Sequence, residues 1–377
     1  MNDQKLITTR QLIMTLLLSM MTLKVLLLPN LMAVDFGRDS YIFLAVMLLN
    51  DFGILLIFLY MQKKFPGKNF YEIMNFLFGE FVAKIIFVLL ALFFFAKCCG
   101  VFQSTYVYLN ENLYTTYNWF VFSLPFLIVL VFCLMRGLFS LGRLLECTFP
   151  VMFIGVIVAS SVGVMRADFT NLLPFFENGF SKASMLINFS YWFGDYLIII
   201  LFFGRIKFEK KYGFKIILSI LLGILLIVCF YVIVYARFGY NTITHTNGIS
   251  DVLQVQPSSS DIGSIDWILI LVWDISLFVN FLLNAYGVTF CMKTLIPKMS
   301  QLAASIVVAS AVFAVNYFCQ FNIYLFVELA QKYMCYYSAV IQGVLPNIFA
   351  VFTFFKCKKR DKMLPLPKNV VKEGNGG

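Results

Sequence analysis

Five ionisable side chains interrupt long apolar runs in this 377-residue chain: Lys24, Asp51, Lys97, Asp195 and Asp274. An ion at mid-bilayer costs roughly 2.5–3.5 kcal/mol on insertion scales, so each calls for a partner or a purpose. Two ammoniums and three carboxylates offer ion pairing, proton exchange or recognition of a small zwitterion. Lys24 and Asp195 suit the last of these, a ligand carboxylate facing the lysine and a ligand amine facing the aspartate. A buried Lys–Asp pair serving only packing satisfies the same electrostatic need, and both readings stay open. Asp274 is expected to pair with a lysine, because a lone buried carboxylate would protonate instead. Asp51 follows Asn50 and has no partner assignable from sequence. Glu146 lies near the end of an apolar run, where reaching the interface or pairing with Arg143 accounts for it.

Local sequence says how these groups are positioned. Pro29 lies just over one turn after Lys24. It offers no N–H to residue 25 and clashes one turn back, so a break is predicted near Lys24–Pro29. A second break is predicted where Asn188-Phe-Ser-Tyr-Trp-Phe-Gly194-Asp195 gathers polar, aromatic and glycine residues. Broken helices expose backbone groups and partial charges that can hold a ligand. Helical periodicity places Lys97, Gly100, Ser104 and Tyr108 on one stripe, with Gly100 permitting close helix approach. Ser276, Asn280, Asn284 and Gly287 form another face, read as interhelical hydrogen bonding ahead of ligand contact, with Asp274 nearly opposite. The candidate ligand contacts are Thr22, Lys24, Lys97, Ser104, Tyr191, Trp192, Gly194, Asp195 and Asn280. Asp51, Asp274 and Glu146 are candidates for a supporting charge network.

The composition demands a membrane around these residues. Apolar side chains make up 61% of the chain and charged ones 13%, against about 45–50% and about 25% in soluble domains; mean hydropathy is +0.87. Spanning helices need roughly 17–25 mostly apolar residues. Ten windows qualify: 9–33, 41–61, 85–107, 118–135, 144–165, 182–204, 214–237, 264–291, 300–319 and 334–355. The first is too long for a removed signal peptide and lacks a small-residue cleavage site, so it is kept as a span. With both termini inside, most of the 29 basic residues fall in inside segments, while outside loops collect Asp35, Asp39, Glu111, Asp168, Glu177, Asp251 and Asp261. That bias sets the orientation, and it makes the net charge of +10 a topology and anionic-lipid signal rather than a nucleic-acid one. One transmembrane domain over 1–358 and a basic, disordered tail over 359–377 are expected. The longest polar stretch, 239–263, reads as turns.

Several function classes drop out. The nine cysteines are scattered and form no C-x-x-C pair, and His245 is the single histidine, so neither a metal site nor a disulfide framework is expected. No G-x-x-x-x-G-K-[ST] motif is present. No cofactor and no enzymatic activity are expected.

Several segments carry a more specific signal. They are Leu23-Lys-Val-Leu-Leu-Leu-Pro29 with Gly37-Arg-Asp-Ser-Tyr41, Phe65-Pro-Gly-Lys-Asn-Phe70 with Phe78-Gly79, Gly137 through Gly142-Arg-Leu-Leu-Glu146 with Pro150, Asn171-Leu-Leu-Pro174 with Gly179, and Phe193-Gly194-Asp195. In order and spacing over about 5–358 they resemble the endospore germination permeases, the B subunits of spore germinant receptors. That family lies within the amino acid–polyamine–organocation superfamily. Asp195 stands where the family commonly shows Glu, and the Lys24 region lacks the small-residue, glycine-containing stretch typical of permease span one.

The resemblance implies an all-α membrane protein of ten helices, with a LeuT-like five-plus-five inverted repeat and breaks in spans one and six. It implies a nutrient-sensing subunit in the inner membrane of a bacterial spore, acting with an A subunit and a lipoprotein C subunit. An amino acid or similar small nutrient would bind in a permease-like pocket between spans one, three, six and eight. The competing expectation is a secondary transporter for an amino acid or amine, coupled to protons or sodium through Asp195, Asp274 or Lys97.

Overall fold

Helix α1 (Thr9–Leu26) opens on a capping box. The Gln11 N–H donates to the Thr8 hydroxyl oxygen at 3.2 Å, and the Thr8 N–H donates to Gln11 Oε1 at 3.1 Å, which satisfies two of the donors a helix start leaves free. The computed structural model describes residues 6–112, 118–177, 179–206, 211–245, 248–253, 265–320 and 330–363. The first expected span, 9–33, is divided. α1 ends at Leu26, and α2 (Leu28–Phe36) restarts with Pro29 in its first turn, where a missing N–H costs nothing. Two tyrosines bond the backbone on either side of the break: Tyr231 donates to Lys24 O at 2.8 Å and Tyr235 to Pro29 O at 2.6 Å. Through a short 3-10 turn, α2 leads into α3 (Ser40–Lys64), so that 28–64 forms one apolar stretch.

Helix α4 (Phe70–Phe78) was not among the expected elements, although its start is written in the sequence as Asn69-x-x-Glu72. Asn69 caps it, and Phe70, Ile73, Met74 and Leu77 form the buried face, the i, i+3, i+4, i+7 pattern of an amphipathic helix. Next come α5 (Glu80–Asn112), α6 (Trp119–Met135) and α7 (Gly137–Val164). The sixth expected window, 182–204, consists of two 3-10 segments, Ala183–Trp192 and Asp195–Phe202, bent by 43° at Phe193–Gly194. The remaining elements are α8 (Tyr212–Phe238), α9 (Gly248–Leu253), α10 (Ile265–Leu295), α11 (Gln301–Gln320), α12 (Cys335–Ala339, between π-helical turns at Ala330–Met334 and Val340–Val344) and α13 (Leu345–Met363).

Among the described residues, eight helical stretches are long and apolar enough to cross a membrane, and the bent pair makes a ninth. α6 is apolar but has only 17 residues. The protein is therefore a polytopic helical membrane protein. α1 lies at its centre, packed against α7, α8, α10 and the Asp195–Phe202 segment, while α5 and α10 share the most extensive helix contact.

One expectation about the connecting segments needs correction. The stretch 239–263 is not all turns: Gly239–Thr244 is a 3-10 segment and α9 is helical, held because Val252 is fully buried. The rest of that loop, 254–264, lies outside the described residues. Helix α13 continues past residue 358 to Met363; residues 364–377, most of the expected tail, lie outside the described residues.

Candidate functional site

The two breaks put opposite charges at facing helix ends. Lys24 stands in the last turn of α1 and Asp195 in the first turn after the break in span six, each at the terminus where the backbone dipole favours its sign. The Lys24 ammonium donates to Asp195 Oδ2. From α5, Lys97 donates to the other oxygen, Oδ1, at 3.3 Å. Relative exposures of 1%, 3% and 8% for Lys24, Lys97 and Asp195 mean that water does not screen these bonds. One carboxylate thus bridges two ammoniums.

The balancing negative charge is Asp51 on α3. Its carboxylate accepts the Gly194 N–H, at 3.0 Å to Oδ2 and 3.2 Å to Oδ1, and it lies near enough to Lys24, Lys97 and Asp195 to interact with each. The break is what frees that N–H. Phe193 is extended and Gly194 takes φ +81°, a left-handed conformation that glycine adopts without steric cost. Aromatic faces complete the surround: Phe193 centres 4.7 Å from the Lys24 ammonium, and Tyr191 and Phe93 lie 5.6 and 5.8 Å from that of Lys97, within cation–π range.

Tyr191 reaches this position through Gly100. A methyl on Gly100 would overlap the Tyr191 hydroxyl, which donates to Ala96 O at 2.7 Å. The neighbouring Trp192 ring packs 6.2 Å from that of Tyr191. Thr22 turns its hydroxyl back onto Leu18 O at 2.7 Å, with Met152 Sδ at 3.8 Å. Asn280 donates to Ser19 O across helices at 3.3 Å and accepts from Asn284 at 2.9 Å. Ser104 is half-buried. The structure therefore brings Lys24, Lys97, Tyr191, Gly194, Asp195 and Asp51 together. It uses Thr22 and Asn280 for contacts within and between helices.

Two expected charge pairs are not formed. Among the described residues no lysine reaches Asp274, whose Oδ1 is buried without a hydrogen-bond partner; Lys24 and Lys97 both bond to Asp195. Glu146 does not pair with Arg143, whose guanidinium stacks 4.8 Å from the Phe139 ring centre. Instead it accepts from Gln11 Nε2 at 3.2 Å and lies 3.9 Å from Arg10. With Arg10 69% exposed, Glu146→Gln is expected to change stability by at most about 1 kcal/mol, read as a shift of a degree or so in thermal unfolding in detergent.

Sequence reasoning missed Gln342. It sits on a π-helical turn, donates through Nε2 to Ser190 O, and leaves its buried Oε1 beside Gly194 without a partner. A π turn has no recognisable sequence pattern, and insertions of this kind cluster at functional sites.

Chemically the cluster is an internal ion network in which both ammoniums bond to the Asp195 carboxylate. Among the described residues, four cavities can be traced, and none of these is lined by Lys24, Asp51, Lys97 or Asp195. Compared with known proteins, residues 6–323 match the model of a family described as spore germination protein (spore permease). No curated protein was found to match the chain.

Proposed function

The chain belongs to the spore germination protein family, and from that premise we propose that it is a nutrient-sensing subunit of a spore germinant receptor. The observation that carries this reading is the ion cluster at the two breaks. A zwitterionic nutrient such as an amino acid presents the two charges that Lys24 and Asp195 now present to each other. Its carboxylate would replace Asp195 on a lysine while its amine takes the aspartate. A ligand shifts a conformational equilibrium only through a difference in affinity between the two states. Exchange of an internal ion pair for a ligand supplies such a difference, because the arrangement with the cluster closed has no ammonium free to bind.

In this reading the chain has ten spans with a LeuT-like five-plus-five core, α6 being the short fourth span and the bent pair the sixth. Both termini are inside, in the inner membrane of the spore, and the chain acts with A and C subunits. Spores lacking it, tested against a panel of amino acids and other nutrients, should lose the response to at least one nutrient and keep the rest. An unchanged response to every nutrient would overturn the reading. The competing reading is a secondary transporter coupled to protons or sodium. It predicts amino acid uptake by the purified chain in proteoliposomes.

Orientation has its own test. A membrane-impermeant maleimide applied from outside should label Asp168→Cys and leave Lys64→Cys and Lys298→Cys unlabelled until the membrane is opened. Labelling at position 64 or 298 in sealed membranes would reverse the topology. All three positions lie at or beyond the ends of helices.

A further inference from the structure

A cavity of about 540 Å³ lies between α5, α6 and α10, apart from the ion cluster. Its size falls within the range of about 300–1,000 Å³ usual for small-molecule sites. The walls are mostly apolar and aromatic, with Tyr106, Phe122, Phe126 and Phe278 among them, and among the described residues no lysine or arginine lines it. Besides Thr105, whose hydroxyl donates to Val101 O at 2.7 Å, two polar side chains break this surface: Asp274 from α10 and Asn110 from α5. Asp274 Oδ1 and Asn110 Oδ1 are both buried and both lack a hydrogen-bond partner. Unsatisfied buried acceptors are costly and uncommon in native proteins, and an intramembrane carboxylate without a counter-charge calls for a cation.

We propose that this cavity is a second ligand site, taking the ammonium group of a small amphipathic amine on Asp274 and Asn110 and its apolar body among the aromatic rings. The unmet need is for donors, which makes the ligand an amine rather than an acid. An ammonium supplies up to three N–H groups, enough for both oxygens, and a charge-assisted bond to carboxylate is the stronger kind. The aromatic walls suit a flat apolar body and add cation–π attraction. Access is from the bilayer: Val121, Val129 and Ile275 line the cavity and are exposed on the helix surface. A compound that partitions into lipid therefore reaches the site without crossing the protein core.

The test uses the purified full chain in phosphatidylcholine nanodiscs, whose quaternary headgroup has no N–H to donate. Phenethylamine is the probe, with its neutral N-acetyl derivative and phenylpropionate as controls. Phenethylamine should bind saturably and both controls at least tenfold more weakly, the factor expected when a bond to a charged group worth about 1.5–3 kcal/mol is lost. Asp274→Asn should weaken phenethylamine by a similar factor. If that variant does not fold, Phe126→Trp, which adds bulk at the cavity wall and leaves the carboxylate in place, should weaken binding at least tenfold. Equal binding of the amine and its N-acetyl derivative would overturn the proposal, as would unchanged affinity in both variants. Repeating the titration in phosphatidylethanolamine identifies the source of the ammonium. Competition assigns the site to the lipid headgroup, and unchanged affinity assigns it to a free amine. Because binding is read on the chain alone, failure here leaves the germinant reading untouched.

Discussion

Asp195→Ala should be the most damaging single substitution in the ion cluster, more so than Lys24→Ala or Lys97→Ala. Asp195 is the shared acceptor of both lysines. Its removal strands two buried ammoniums with only Asp51 nearby, and breaking a buried pair by removing one partner costs about 3–5 kcal/mol. Removing either lysine leaves the other bonded to the carboxylate and costs less. Asp195→Glu should keep part of the function, since it preserves the charge and matches the glutamate common at this position in the germination permeases. The measurements are nutrient-triggered germination of spores carrying each variant, the amount of protein retained in the membrane, and thermal unfolding of the purified variants. The Lys24→Ala, Asp195→Ala double variant should be less impaired than the two single effects combined, because the pair is removed together. Strict additivity would mean that the two are not coupled. Normal germination by Asp195→Ala would take the cluster out of the signal.

Gly194→Ala should be nearly as severe, for steric reasons. An alanine at φ +81° pays roughly 1–2 kcal/mol for the left-handed conformation. Its methyl would overlap Gln342 Oε1 and stand 3.2 Å from the Phe93 ring edge. Gln342 can move aside only by giving up its bond to Ser190 O, leaving buried polar atoms unpaired at about 1–3 kcal/mol. The expected outcome is a large drop in thermal stability with loss of response. Adding Gln342→Ala should restore part of the stability by removing the clash, while the backbone strain remains. No recovery in the double variant would show that the damage lies in the backbone and in the Asp51 contact to the Gly194 N–H.

The positions of the breaks were legible because their causes are covalent and local. Pro29 lacks an N–H wherever it stands, and Gly194 tolerates a positive φ in any fold. Hydropathy likewise picked out Lys24, Asp51, Lys97, Asp195 and Asp274 as charges to be accounted for in the membrane, since transfer cost depends on the side chain and its apolar neighbours along the chain; it missed Asp39, assigned to a loop but buried in the structure. The start of α4 was also there to be read in Asn69 and Glu72.

What the sequence by itself could not determine was which charge meets which. Lys24 and Asp195 are 171 positions apart, and Lys97 and Asp195 are 98. Their meeting depends on how α1, α5 and span six pack, and packing is decided by the whole set of facing side chains. Read along the chain, Asp195 and Asp274 are equivalent, each an aspartate deep in an apolar run awaiting a lysine. Only the tertiary structure separates them. The bend at Phe193–Gly194 aims Asp195 at two helices that carry lysines, whereas Asp274 faces a cavity lined by α5 and α6 side chains with no cation among them. The same holds for Asp51, whose partner is a backbone N–H that exists as a free donor only because another helix is broken beside it.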